Sequence, residues 1–243
     1  MANQHLFHYN YAEKKIVADY ALQPGWSNYD FCPENRYLAF TEGNNLKILS
    51  PENLVTDVTN ETADGIVCGQ SVHQNEFGIH KGIFWSPKGS ALAFYRMDES
   101  MVTEYPIVNI DARCAKVEPR RYPMAGMKSH HVTVGVYQLE TGKTIWLKTG
   151  TPKEKFLTNI SWSPDEQHIY IAELNREQNE MNLVCYSAVT GQKEGVLFTE
   201  KDEHYVEPQH PLLFLPNQPD QFIGRANGMV IIICIYTIQK VSC

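Results

Sequence analysis

A short phrase recurs along this chain and limits what it can fold into: an apolar residue, then Ser-Pro or its equivalent, a polar turn, and an apolar alternating run. It reads Phe31-Cys32-Pro33 ahead of Tyr37-Leu38-Ala39-Phe40, and Trp85-Ser86-Pro87 ahead of Ala91-Leu92-Ala93-Phe94. It returns as Trp162-Ser163-Pro164 ahead of Ile169-Tyr170-Ile171-Ala172, and more faintly as Phe214-Leu215-Pro216 ahead of Phe222-Ile223. The prolines lie roughly 50 to 80 residues apart, a spacing expected of propeller blades or long solenoid units.

Between these phrases the chain reads as strands. Leu46 to Leu49 and Val132 to Tyr137 show the period-2 pattern of half-buried strands. Polar turns divide them: Glu42-Gly43-Asn44-Asn45, Glu140-Thr141-Gly142-Lys143, Val189-Thr190-Gly191-Gln192 and, without a glycine, Ala12-Glu13-Lys14-Lys15. Helical periodicity is nearly absent, and Glu173 to Met181 is read as a β connection. Each unit thus predicts several antiparallel strands: a Ser-Pro turn, an apolar inner strand, a polar loop and an outer hairpin closing on x-Thr-Gly-x. The expected architecture is all-β: a partial propeller of about four blades of four-stranded antiparallel sheet. The second unit carries an insertion over Thr103 to Lys128, where Pro106, Pro119 and Pro123 predict a loop covering one face.

Residues 1–223 form this propeller-like part. Residues 224–243 break the pattern, running through Gly224-Arg225-Ala226-Asn227-Gly228 into Ile231-Ile232-Ile233 and Cys234 without turn logic. With permitted codons, a shift of one base turns this stretch into a pair of blade-like strands around an Asn-Thr-Lys-Gly turn. The tail is therefore expected to be the product of a shifted reading frame.

Composition excludes several functions. The formal charge of -7 argues against a nucleic-acid partner, because phosphate binding needs clustered Lys and Arg. The one basic stretch, Arg113 to Arg121, is interrupted by Glu118 and reads as a solvated loop. The apolar run Met229 to Ile235 is too short to span a bilayer, and Met1 to Asn10 lacks the pattern of a secretory signal. Cysteines at 32, 68, 114, 185, 234 and 243 have no C-x-x-C spacing. His130-His131 is adjacent rather than at i, i+4 and has no carboxylate at ligand spacing. Neither a metal nor a cofactor is expected. Arg96, Asp98 and Glu99 follow an inner strand as a compact charge set, which reads as ion pairing that braces a blade or as cavity charge in contact with substrate. Trp85 and Trp162 read as blade-core aromatics.

The run Val72-His73-Gln74-Asn75-Glu76-Phe77-Gly78-Ile79, followed by Lys81 to Gly89 and Leu92 to Ser100, resembles the glutamate motif of bacterial dipeptidyl peptidase IV-type serine peptidases. Tyr122-Pro123-Met124-Ala125-Gly126 and Leu174 to Asn179 match further motifs in order, and the likeness covers about residues 5–223. This family belongs to the prolyl oligopeptidase superfamily. The resemblance implies an eight-bladed propeller joined to an α/β-hydrolase domain, with the active site between them, in a periplasmic or secreted enzyme that can be a homodimer. The chain then corresponds to middle blades alone, a truncated fragment without the hydrolase domain. Gly25-Trp26-Ser27 and Gly69-Gln70-Ser71 lack the second glycine of a G-x-S-x-G elbow, so no catalytic residue is assigned and the chain alone is expected to be inactive.

The same resemblance implies a role for Glu76. In the family, paired glutamates bind the protonated amine of a peptide, a charge-assisted bond that strengthens where water is excluded. This measures how many residues precede the cut, giving an exopeptidase that releases di- or tripeptides after proline. The implied partner is a peptide with a free N-terminus and a proline near it. Asn75 stands where the second glutamate is expected, so the dipeptide and tripeptide readings both stay open. A non-catalytic propeller serving as an interaction scaffold is the other reading that composition permits.

Overall fold

The computed structural model describes residues 4–216, 218–226 and 232–237. Its elements are strands and one short turn of 3-10 helix over His73–Asn75. The first hairpin joins β1 (Gln4–Asn10) to β2 (Lys15–Leu22). A four-stranded antiparallel sheet follows: β3 (Trp26–Phe31), β4 (Leu38–Glu42), β5 (Asn45–Leu49) and β6 (Val55–Asp57). The next sheet is built on β7 (Ile66–Cys68), β8 (Ile83–Trp85) and β9 (Ala91–Asp98). A separate hairpin of β10 (Glu104–Asn109) and β11 (Lys116–Arg121) interrupts it before β12 (His131–Gln138) and β13 (Lys143–Trp146) complete it. A second four-stranded sheet runs in sequence order through β14 (Phe156–Trp162), β15 (His168–Leu174), β16 (Glu180–Ser187) and β17 (Lys193–Lys201). The last comprises β18 (Leu213–Leu215), β19 (Gln218–Ala226) and β20 (Ile232–Thr237).

The all-β partial propeller expected from the repeat is thus present, although strand number varies from blade to blade. The sheets stack face to face, which explains the apolar runs. Along β9, Ala91, Ala93 and Tyr95 point into a core shared with Ile169, Ile171 and Tyr186 of the following sheet. The alternate residues Leu92 and Phe94 point the other way, into a core with Ala39, Leu46 and Ile48 of the preceding one. The same division recurs on β15, whose Tyr170 and Leu174 face a third core containing Phe222. A sheet sandwiched on both sides buries both faces of its central strand, as over residues 91–95 of β9 and 169–174 of β15, at about 1.5–3 kcal/mol for each large side chain. Gly135 lies opposite Phe94 in the ladder, and a Cβ there would come 2.6 Å from the Phe94 ring. Glycine leaves the space that the phenylalanine fills.

Two of the strands that lead into a proline turn, β3 and β14, share a second device. The β3–β4 register breaks between Ser27 and Asp30, and the β14–β15 register between Thr158 and Ser161. Asn28 and Asn159 sit in these bulges with left-handed φ of 51° and 54°. Asparagine tolerates that region better than most residues. Each stands five positions before its repeat proline, Pro33 or Pro164.

The insertion over residues 103–128 departs from the expected loop, since β10 and β11 form a hairpin within it. Pro106 and Pro119 are directly paired. In a two-stranded ribbon alternate positions turn their N–H outward, where proline forfeits no ladder bond. In the tail, β20 pairs with β19 from Gln221↔Thr237 to Ala226↔Ile232, and its isoleucines suit a strand. The other tail residues on which the frame-shift expectation rests, 227–231 and 238–243, lie outside the described ones. No helix among the described residues is long and apolar enough to cross a membrane.

Candidate functional site

The segment between β7 and β8 carries Asn75 and Glu76. Its backbone is unusual: His73, Gln74 and Asn75 have φ of 54°, 56° and 63°, and Phe77 and Gly78 follow at 55° and 70°. Left-handed backbone costs an L-residue about 1–2 kcal/mol, so three in succession persist only where packing compels them. The compelling contacts are visible. Val72, His73, Phe77 and Ile79 are buried, while Gln74, Asn75 and Glu76 are exposed. The turn closes through Asn75 N–H to Val72 O at 3.1 Å and Glu76 N–H to His73 O at 3.1 Å, and Ile79 N–H donates to Glu76 O at 3.0 Å.

Its anchors reach into the sheet that follows. Phe77 joins the core of Tyr170, Leu174 and Val206, and its ring lies 5.0 Å from that of Phe156. His73 Nε2 accepts the N–H of Leu157 at 3.1 Å, and its Nδ1 is 2.9 Å from His130 Nε2. Gly78 packs against the Gln209 backbone so closely that a Cβ has no room. The turn is therefore a rigid pedestal between two sheets. Among the described residues, no side chain bonds to the Asn75 amide or the Glu76 carboxylate, which face solvent.

Two hollows lie beside this pedestal, along β3, β8 and β14. One, of about 710 Å³, begins at Gly78 and Ile79 and is lined further by Lys81, Phe84, Asn159 and His210. The other, of about 310 Å³, lies between Asp30, Trp85 and Trp162 and shares Lys81 and Phe84 with the first. Lys81 pairs with Asp30 at 2.9 Å, and burial pushes the Asp30 carboxyl upward against the pull of that lysine. Neither Asn75 nor Glu76 lines either hollow. Glu76 is exposed in this chain, two residues from the mouth of the larger hollow.

Arg96, Asp98 and Glu99 do not form one network among themselves. Arg96 Nε pairs with Glu61 at 2.6 Å. Asp98 accepts the Ser100 N–H at 3.0 Å and its hydroxyl at 2.7 Å. Burial pushes the Glu99 carboxyl upward, opposed by Arg121, which donates to the carbonyls of Glu99, Ser100 and Val102 and pairs with Asp64 at 2.6 Å. These charges brace the end of β9, and none lines either hollow. His73, His130 and Arg121 escape sequence reasoning as site residues, although His73 stands inside the motif that marks Glu76. No group of three or more His, Cys, Asp or Glu side chains gathers at metal-binding distance among the described residues.

Antiparallel sheets stacked face to face, each sharing a core with the next, define a β-propeller segment. The family described as the "Dipeptidyl peptidase IV (DPP IV) N-terminal region" matches residues 2–228, and the chain belongs to it. Its backbone superposes on the crystal structure of a Bacteroides ovatus protein, a "putative dipeptidyl aminopeptidase IV", with a TM-score of 0.85 and 49% identity over 94% of this chain and 32% of that one. Porphyromonas gingivalis dipeptidyl peptidase 4 shares the fold, at a TM-score of 0.76 and 23% identity over 86% of this chain and 31% of that one. A Phaeosphaeria nodorum protein named "Probable dipeptidyl-aminopeptidase B" is 26% identical over 221 residues, 81% of this chain and 24% of that protein. The chain spans about a quarter of this curated relative and about a third of each solved chain.

Proposed function

We propose that this chain is the substrate-gating and amine-anchoring part of the propeller of a serine exopeptidase that releases di- or tripeptides after proline. The observation that carries the reading is the pedestal: strained backbone, held from beneath by four buried side chains, presents an unpaired carboxylate at Glu76. Because the backbone beneath Glu76 is already held, less ordering remains to be done when a cation binds its carboxylate. The α-ammonium of a peptide has three donors. Glu76 takes two of them and the Asn75 amide oxygen accepts the third.

In a protein of the relatives' length, further blades and an α/β-hydrolase domain would close over the turn and exclude water, strengthening the pair. The nucleophile belongs to that domain, and this chain has no G-x-S-x-G elbow to supply one. Such a peptidase would act in the periplasm or outside the cell, as the resemblance implies, and its pairing into dimers would be a property of the whole enzyme.

Titration of the chain with a short Xaa-Pro peptide, followed by amide NMR shifts, tests the reading. The free-amine peptide is expected to perturb residues 74–80, and its N-acetylated form to bind about tenfold more weakly. Equal affinity for both forms, or an unchanged affinity in Glu76→Gln, contradicts it and favours a non-catalytic scaffold.

A further inference from the structure

The pedestal is tied to its neighbouring sheet by hydrogen bonds that run in one direction only. The Leu157 N–H of β14 donates to His73 Nε2 at 3.1 Å. A backbone amide cannot accept, so that nitrogen carries no proton. The neutral ring then holds its proton on Nδ1 and donates it to His130 Nε2, 2.9 Å away. His130 in turn carries its proton on Nδ1. A second proton on His73 would place N–H against the Leu157 N–H. One on His130 would place N–H against the Nδ1–H of His73. Either addition sets donor against donor in a buried site.

The surroundings offer a cation no relief. His73 and His130 are 4% and 5% exposed. Phe156 packs edge-on to His73 at 5.0 Å. Besides His73, the groups acting on His130 are His131 and Arg176, both of which oppose a further proton. Glu154 is occupied by Arg176 at 3.2 Å and by the Ser129 N–H at 3.4 Å. Among the described residues no carboxylate bonds either ring.

We propose that the neutral His73–His130 pair positions the Glu76 carboxylate, making His73 a positioning residue for amine recognition whose hold is released by protonation. This inference rests on the reading of Glu76 as the ammonium anchor. Burial holds His130 down to about 4 and His73 well below its ordinary 6.5, so the pair stays neutral near neutral pH and opens in acid. Glu76 N–H bonds to the His73 carbonyl, so displacing the ring moves the backbone that carries the carboxylate.

Hydrogen exchange over residues 72–80 of the whole chain, read beside free-amine peptide binding, tests this. In His130→Gln the amide oxygen falls near the place of Nε2 and still accepts, whereas His130→Leu removes the acceptor. His130→Leu is expected to speed exchange of the Glu76 and Ile79 amides about tenfold and weaken binding by a similar factor, with His130→Gln within about twofold of the parent on both readouts. The unsubstituted chain provides the second measurement. Its exchange over 72–80, corrected for intrinsic rates, is expected to rise as pH falls toward about 4. Parent-like exchange in His130→Leu, or no acid-induced rise in the parent, overturns the proposal. Glu76→Gln separates the two readings: it is expected to abolish the amine preference while leaving exchange unchanged. Loosening by His130→Leu combined with unchanged peptide binding in Glu76→Gln sinks the anchor reading and leaves the histidine lock standing.

Discussion

The indole N–H of Trp162 donates to the carbonyl of Phe84 at 3.0 Å, crossing from one sheet to the next. Trp85 makes the same bond, also 3.0 Å, to Asp30 of the preceding sheet. Both acceptors stand just before the aromatic of their own repeat phrase, Trp85 or Phe31, so the bond recurs at equivalent places. The repeated aromatic thus fills a core and fastens one blade to another. Trp162→Phe keeps most of the packing and loses the donor, leaving the Phe84 carbonyl without that partner. It is expected to lower unfolding free energy by about 1–2 kcal/mol in urea titration, with an unchanged m-value. The half-buried Trp85 is expected to give a smaller loss on the same substitution.

Gly135 provides a test of blade packing that leaves polar groups alone. An added methyl meets the Phe94 ring, which is fully buried and has no free space to enter. Gly135→Ala is expected to destabilise the chain by about 1–3 kcal/mol, and Gly135→Ala with Phe94→Leu by less than the sum of the two single changes. Thermal or urea unfolding of the four proteins supplies the cycle.

The histidine pair gives stability a pH dependence of known sign. Burial depresses both rings from the ordinary 6.5, His130 to about 4, so the unfolded chain takes up protons first as pH falls. The stability that the neutral pair supports is complete above about 6.5 and falls as pH drops, the His130 share being lost between there and about 4. His130→Gln removes one of the two titrations. The slope of unfolding free energy against pH in that window is expected to flatten by up to about 1.4 kcal/mol per pH unit relative to the parent. Coincident slopes contradict the assignment.

The repeat phrase revealed the strands because each copy sets its proline turn immediately ahead of the central strand. Ala91 to Tyr95 is apolar at every position for a reason now clear: both of its faces lie against other sheets. The hairpin at 104–121 was hidden by its prolines, which signal a loop unless their pairing across a two-stranded ribbon is known. Glu76 was legible through its motif, and its support was not. His73 is held by His130, 57 residues away, and by Leu157, 84 residues away, contacts that no local pattern records. The openness around Glu76 was equally hidden, since enclosure depends on which other surfaces face the turn.

The most direct measurement is a crystal structure of the chain soaked with a tripeptide bearing proline at its second position. The account predicts the peptide ammonium about 3 Å from the Glu76 carboxylate, with the Asn75 amide oxygen as a second acceptor and the chain running toward the hollow that begins at Gly78. A peptide bound in that hollow with its ammonium turned away from Glu76, toward Asp30 or bulk solvent, would contradict it.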